Sequence, residues 1–209
     1  MEQKVHSIIQ ILKDRYADAP CALHYTKDYE LMIAVRLSAQ CTDARVNLVT
    51  PGLFSDYPTL EAMAAADISD IERHVHSCGF YKHKARDIVL ACQMLLQKHS
   101  GKVPGTMEEL LELPGVGRKT ANLLLGDLYG APGSVVCDTH CIRICGRLGL
   151  SQGKDPEKVE RQIRVILPPE ESSDFCHRIV LFGREICTAR SPKCAECPLS
   201  MYCTEFVPQ

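Results

Sequence analysis

Two single side chains and one quartet of cysteines in this sequence have the type and spacing to do chemistry. Lys119 stands in Leu-Pro-Gly-Val-Gly-Arg-Lys-Thr-Ala-Asn, residues 113–122, where a glycine-rich turn hands over to a helical run. The first turn of a helix carries the positive end of the dipole, which disfavours an ammonium there, and Arg118 adds a like charge. Partial burial in a cleft would push the same way. Each effect raises the share of free amine, the form that attacks carbon and condenses to a Schiff base. A phosphate contact is the plain alternative for the same lysine, and position alone leaves the two open. Asp138 sits where a helix N-cap belongs, ahead of a helix from Thr139 to about Leu148. A carboxylate aimed by its cap, if near Lys119, suits taking up protons or steadying a developing oxocarbenium charge at a sugar carbon.

Cys187, Cys194, Cys197 and Cys203 form a C-x6-C-x2-C-x5-C pattern in a chain of twelve cysteines. Four thiolates so close together, in a chain with no sign of secretion, call for a metal rather than for disulfides. Four-cysteine zinc sites pair two short knuckles, and only one such knuckle exists here. An iron–sulfur cube is larger than one ion and tolerates ligands on longer loops, so the spacing favours a [4Fe–4S] cluster over zinc. The loop between the first two ligands holds Arg190 and Lys193, either as fixed cations suited to phosphates or as an ordinary solvated basic loop. Cys21, Cys41, Cys78, Cys92, Cys137, Cys141, Cys145 and Cys176 read as small core residues.

The elements that must position these groups follow from the same stretch. Thr106, with Glu109 three residues on, starts a short helix by the pattern of a capping box. Thr120 to Tyr129 is helical, with Ala121, Leu124, Leu125 and Leu128 on one side and Gly130 at its C′ position. Between them Pro114-Gly115-Val116-Gly117 is tight and glycine-rich, which makes the whole a helix–hairpin–helix. An ordinary helical hairpin would need neither two glycines nor the Arg118-Lys119 that follows them. The backbone N–H groups of Gly115, Gly117 and the next first turn suit an anion, and backbone donors read phosphate rather than bases. The implied contact is DNA of any sequence, gripped by Gly115, Val116, Gly117 and Arg118.

The 209-residue chain is 45% hydrophobic and 24% charged, with a formal net charge of −2, so no global basic field marks it for nucleic acid. Any basic surface must be local. Lacking a signal-like or membrane-spanning apolar run, the chain is expected to be intracellular and cytoplasmic, with no membrane partner. Helical periodicity recurs over Glu2 to Tyr16, Asp28 to about Asn47, Tyr81 to His99, from Asp155-Pro156 to Pro168, and Ser173 to about Glu185. Pro58-Thr59 begins a short helix, and Ser69 with Glu72 forms another capping box. No strand is expected. The fold class is all-α.

Taken together, Leu37-Ser38-Ala39-Gln40, the 113–121 hairpin, Asp138-Thr139-His140 and the cysteine spacing resemble the endonuclease III family of DNA repair glycosylases, over nearly the full length. The resemblance implies a [4Fe–4S] cluster and two helical domains flanking a DNA-binding cleft. One would be a six-helix domain of residues 21–133, with the helix–hairpin–helix at about 106–130. The other would be the cluster domain of residues 1–20 and 134–209. It implies Lys119 as the amine that forms a Schiff base at C1′, and Asp138 as the essential carboxylate. Gln40 and Phe80 would fill or wedge the gap left by a flipped nucleotide, and His140, Arg190 and Lys193 are further candidate DNA contacts. The implied activity is removal of oxidised pyrimidines from damaged double-stranded DNA with strand scission by β-elimination, by a monomer associated with the nucleoid. Cys137 before Asp138 and Cys41 after Gln40 depart from the family's usual aliphatic and small residues.

Overall fold

Apolar residues recurring at helical spacing, punctuated by caps, produce helices and nothing else regular. The computed structural model describes residues 1–206, and among the described residues there are eleven α-helices and no strand. The chain divides into two compact units, one of residues 21–129 and one of residues 1–20 with 130 onward.

The first unit holds α2 (Asp28–Ser38), α3 (Asp43–Asp56), α4 (Leu60–Ala64), α5 (Ile68–Val75), α6 (Tyr81–Lys98), α7 (Met107–Glu112) and α8 (Arg118–Tyr129). The short α4 is the helix expected after Pro58-Thr59, and the seventh helix of this unit, against six expected, comes from α2 and α3 being separate. Its core is built from Leu31, Ile33 and Leu37 of α2, Leu53 of α3, Ile71 of α5, Leu95 of α6 and Leu124 of α8, all 0% exposed. Asp28 to Asn47 is not one helix. It breaks after Ser38, Gln40 takes a left-handed φ of 54°, and Thr42 caps a new helix by accepting the N–H of Arg45. The polar run Ser38 to Asp43 is the physical reason, since such side chains compete with the helical ladder. A second difference lies at α5, where Asp67, and not Ser69, is the cap and accepts the Ser69 N–H at 2.7 Å.

The second unit holds α1 (Glu2–Arg15), α9 (Thr139–Arg147), α10 (Pro156–Ile166) and α11 (Ser172–Glu185). The stripe Val5, Ile8, Ile9 and Leu12 of α1 is buried, and α1 and α9 both pack on α11. The N-cap Asp155 with proline at the first helical position starts α10 as expected. Cys137, Cys141, Cys145 and Cys176 are 5% exposed or less. Hydrogen bonding with the Cys137, Cys145 and Cys176 thiols, together with burial, pushes the Cys141 thiol well up. These are core thiols rather than nucleophiles. No helix among the described residues is long and apolar enough to cross a membrane.

Candidate active site and metal centre

Lys119 is the second residue of α8 and is exposed. The expected first-turn position is realised. Gly117 supplies the carbonyl for the first helical bond, from the Ala121 N–H at 2.9 Å, so the glycine stands at the N-cap and the first turn presents its N–H groups outward. Before it, Gly115 has a φ of 76° and Val116 donates its N–H to Leu113 O at 3.1 Å, closing the turn. Leu113 and Val116 are 2% and 7% exposed and anchor the hairpin from beneath. Thr106 caps α7: its hydroxyl oxygen accepts the Glu109 N–H at 3.3 Å and its hydroxyl donates to Glu109 Oε2 at 2.7 Å.

The hairpin is seated on an ion pair that nothing in the sequence announced. Arg36 Nε donates to Asp87 Oδ2 at 2.8 Å, and a Cβ on Gly115 would stand 2.6 Å from Arg36 Cδ and 2.8 Å from Asp87 Oδ2. Glycine is required there twice over, by the close approach and by the positive φ.

Gln40 and Phe80 are exposed and share an unusual backbone state, with φ of 54° and 47°. Phe80 is 66% exposed, although burying an aromatic ring is among the larger gains available to a fold. Strained backbone and a wet aromatic ring point to use rather than to packing.

Asp138, in the other unit, is the N-cap of α9 and accepts the Cys141 N–H at 2.8 Å. His140 is half-buried against Gly183 of α11, with Nδ1 3.1 Å from Arg143 Nη2. Its ring is thus partly committed inside its own unit. Arg143 in turn donates from Nη2 to the Cys187 carbonyl at 2.9 Å, tying α9 to the first cysteine of the quartet.

Among the described residues no three histidine, cysteine or carboxylate side chains converge on a single metal ion. Cys187, Cys194, Cys197 and Cys203 instead line one cavity of about 100 Å³, shared with Arg147, Ile186 and Pro192. A cube of irons and sulfides holds its thiolates farther apart than one zinc would, so thiols spaced around a cavity fit the cluster and not the ion. Arg147 Nη1 donates to Cys187 Sγ at 3.2 Å and to the Thr188 carbonyl at 3.1 Å. Such bonds orient a ligand and tune its sulfur. The sequence offers no signal for Arg147, forty residues from the thiol it supports. Arg190 and Lys193 are both exposed, and the Lys193 N–H closes the loop onto Ile186 O at 2.9 Å.

Residues 33–169 match the model of the HhH-GPD superfamily of base excision DNA repair proteins, and residues 187–203 match the iron–sulfur binding domain of endonuclease III. Among curated proteins, the chain is 44% identical to endonuclease III of Synechocystis sp., covering 97% of this chain and 92% of that one. It is 37% identical to endonuclease III of Escherichia coli strain K12, over 94% and 92% of the two chains. The solved structure of a trapped endonuclease III–DNA covalent intermediate superposes with a TM-score of 0.92 at 41% identity, over 98% of this chain and 96% of that one. The chain belongs to the endonuclease III family. It is accordingly a base excision DNA glycosylase with abasic-site lyase activity, and its cofactor is a [4Fe–4S] cluster.

Proposed function

We propose that this enzyme takes oxidised or ring-saturated pyrimidines out of damaged duplex DNA, acting as a monomer on nucleoid DNA in the cytoplasm. Relatives at 41% identity solved in complex with DNA support the partner. In this reading Gly115, Gly117 and Arg118 hold the phosphate backbone, with Val116 anchoring the turn, while Arg190 and Lys193 add cations. Phe80 wedges into the stack and Gln40 fills the space of the extruded nucleotide, with His140 at the margin of the contact.

The free amine of Lys119 attacks C1′ of the extruded deoxyribose, the bond from C1′ to the base breaks, and the base leaves with a proton. Ring opening turns the new carbon–nitrogen bond into a Schiff base, and loss of a C2′ proton expels the 3′ phosphate, cutting the strand. Asp138 moves protons and steadies positive charge at C1′. Cys187, Cys194, Cys197 and Cys203 would hold the [4Fe–4S] cluster, which when bound supplies a rigid anchor for the Arg190–Lys193 loop and takes no part in bond breaking.

The observation that carries this reading is Lys119 itself, exposed on the first turn of α8 directly after the hairpin. A labelled duplex bearing one ring-saturated pyrimidine tests it. The expected outcome is base release followed by strand scission. Base release with an uncut strand would contradict the lyase role, and salt-sensitive binding with neither event would reduce the chain to a DNA-binding module.

A further inference from the structure

The largest fully buried side chain in the described structure is charged. Lys84 of α6 is 1% exposed, and its ammonium donates to Leu37 O at 2.8 Å and to Cys78 O at 2.6 Å. Burying an ammonium is costly, and an unbranched apolar side chain would fill the same space without that penalty. A lysine here is therefore explained by what it holds. Leu37 lies in the last turn of α2, where helical geometry leaves carbonyls without a partner, and three residues further on comes Gln40. Cys78 ends the 3₁₀ turn His76–Cys78, two residues before Phe80. The backbone N–H of Lys84 also donates to Phe80 O at 3.2 Å, so one residue grips the chain on both sides of Gly79.

Gln40 and Phe80 are two of the three non-glycine residues with positive φ among the described residues, the third being Ser100. Such conformations persist only where the surroundings over-determine them. Lys84 bridges the segment before Gln40 to the segment before Phe80, and the Cys78 thiol meets the Cys41 thiol beside it.

We propose that Lys84 is a positioning residue for nucleotide extrusion, its ammonium tying the end of α2 that presents Gln40 to the turn that presents Phe80. This rests on the reading of those two residues as gap-filler and wedge. Lys84 touches no substrate. It sets the spacing and direction of both tips before DNA arrives, which saves ordering them on binding.

The test uses the cluster-loaded full chain with two duplexes, one carrying a stable abasic-site analogue with 2-aminopurine opposite, whose fluorescence rises when its stacking is broken, and one carrying a single ring-saturated pyrimidine for base release. Lys84→Met keeps the length of the side chain and removes its donors; Lys84→Arg keeps donors. We expect Lys84→Met to lower the fluorescence change and to slow single-turnover base release at saturating enzyme at least tenfold. Affinity for undamaged duplex should move by less than threefold, and Lys84→Arg should recover part of the rate. In a cycle with the combined Gln40→Ala, Phe80→Ala variant, adding Lys84→Met should lose no more base release, since Lys84 acts through those two tips. Hydrogen exchange provides a measure independent of turnover, with faster exchange over 38–42 and 78–81 in Lys84→Gln and unchanged protection in α8. Wild-type fluorescence and rate in Lys84→Met, while Phe80→Ala loses both, would overturn the role of Lys84. Wild-type behaviour in Phe80→Ala and Gln40→Ala would instead overturn the wedge reading beneath it.

Discussion

Gly115 rests on Arg36 so closely that a methyl group at position 115 would stand 2.6 Å from Arg36 Cδ. The hairpin is therefore not a free loop at the mouth of α8 but a turn pressed onto the Arg36–Asp87 pair. Gly115→Ala must displace that pair and also hold alanine at a φ of 76°. A left-handed non-glycine residue costs on the order of 1–3 kcal/mol. Thermal unfolding should show a loss of that size, and duplex binding measured on the folded fraction should weaken as the turn moves. A variant with wild-type stability and affinity would mean that the seat is not tight.

Asp138 has a structural duty and a chemical one, and two substitutions separate them. Asp138→Ala removes the bond from the Cys141 N–H and should cost about 1 kcal/mol of stability, as N-cap losses do. Asp138→Asn keeps a good cap and should leave stability nearly unchanged. Both should lose single-turnover base release by a similar factor, because neither retains a carboxylate. Activity that tracks stability across the pair would assign Asp138 to capping alone.

The exposed pair Arg190 and Lys193 can be read by salt. Each phosphate contact contributes about 0.9 to the slope of log affinity against log salt. Reversing both charges should lower duplex affinity and flatten that slope by about two contacts, while the absorbance of the bound cluster persists because no cysteine is touched. An unchanged slope would remove this loop from the interface.

Where α1 meets α11, Glu185 accepts from the Tyr16 hydroxyl at 2.6 Å and pairs with Arg15 Nη2 at 2.5 Å. The Tyr16 hydroxyl, with Arg15, holds the Glu185 carboxyl below its ordinary value. A depressed folded value means that this contribution is present above the unfolded carboxyl value of about 4.3 and is lost as pH falls through the folded one. Glu185→Gln should therefore destabilise the chain modestly at pH 7, with the difference vanishing in acid. Because the carboxylate is exposed, the effect is expected to be small and salt-sensitive. A difference that grows below pH 4 would contradict the sign.

Much of the local chemistry was legible in the chain because capping and glycine rules act over three or four residues. Thr106, Asp138 and Asp155 cap as their positions imply, and Gly130 turns the end of α8 with a φ of 57°. The break at Gln40 was not legible, since Leu31 to Leu37 and Val46 continue one apolar period across it. What decides that break is the polar run together with a carbonyl held from α6 by Lys84. Arg36, Asp87 and Arg147 escaped for the same reason: each supports a site residue far away in sequence, and no periodicity encodes such a contact. The four thiols were legible by spacing, whereas their arrangement around a cavity needed the fold.

The amine of Lys119 is the centre of the account, and reduction traps it. Borohydride added to the cluster-loaded enzyme on a lesion-bearing duplex should give a covalent protein–DNA adduct, and peptide mapping should place the bond on Lys119. Lys119→Ala should form no adduct while still binding the duplex and retaining its cluster. An adduct of wild-type yield in Lys119→Ala, or one mapped to another lysine, would contradict the assignment outright.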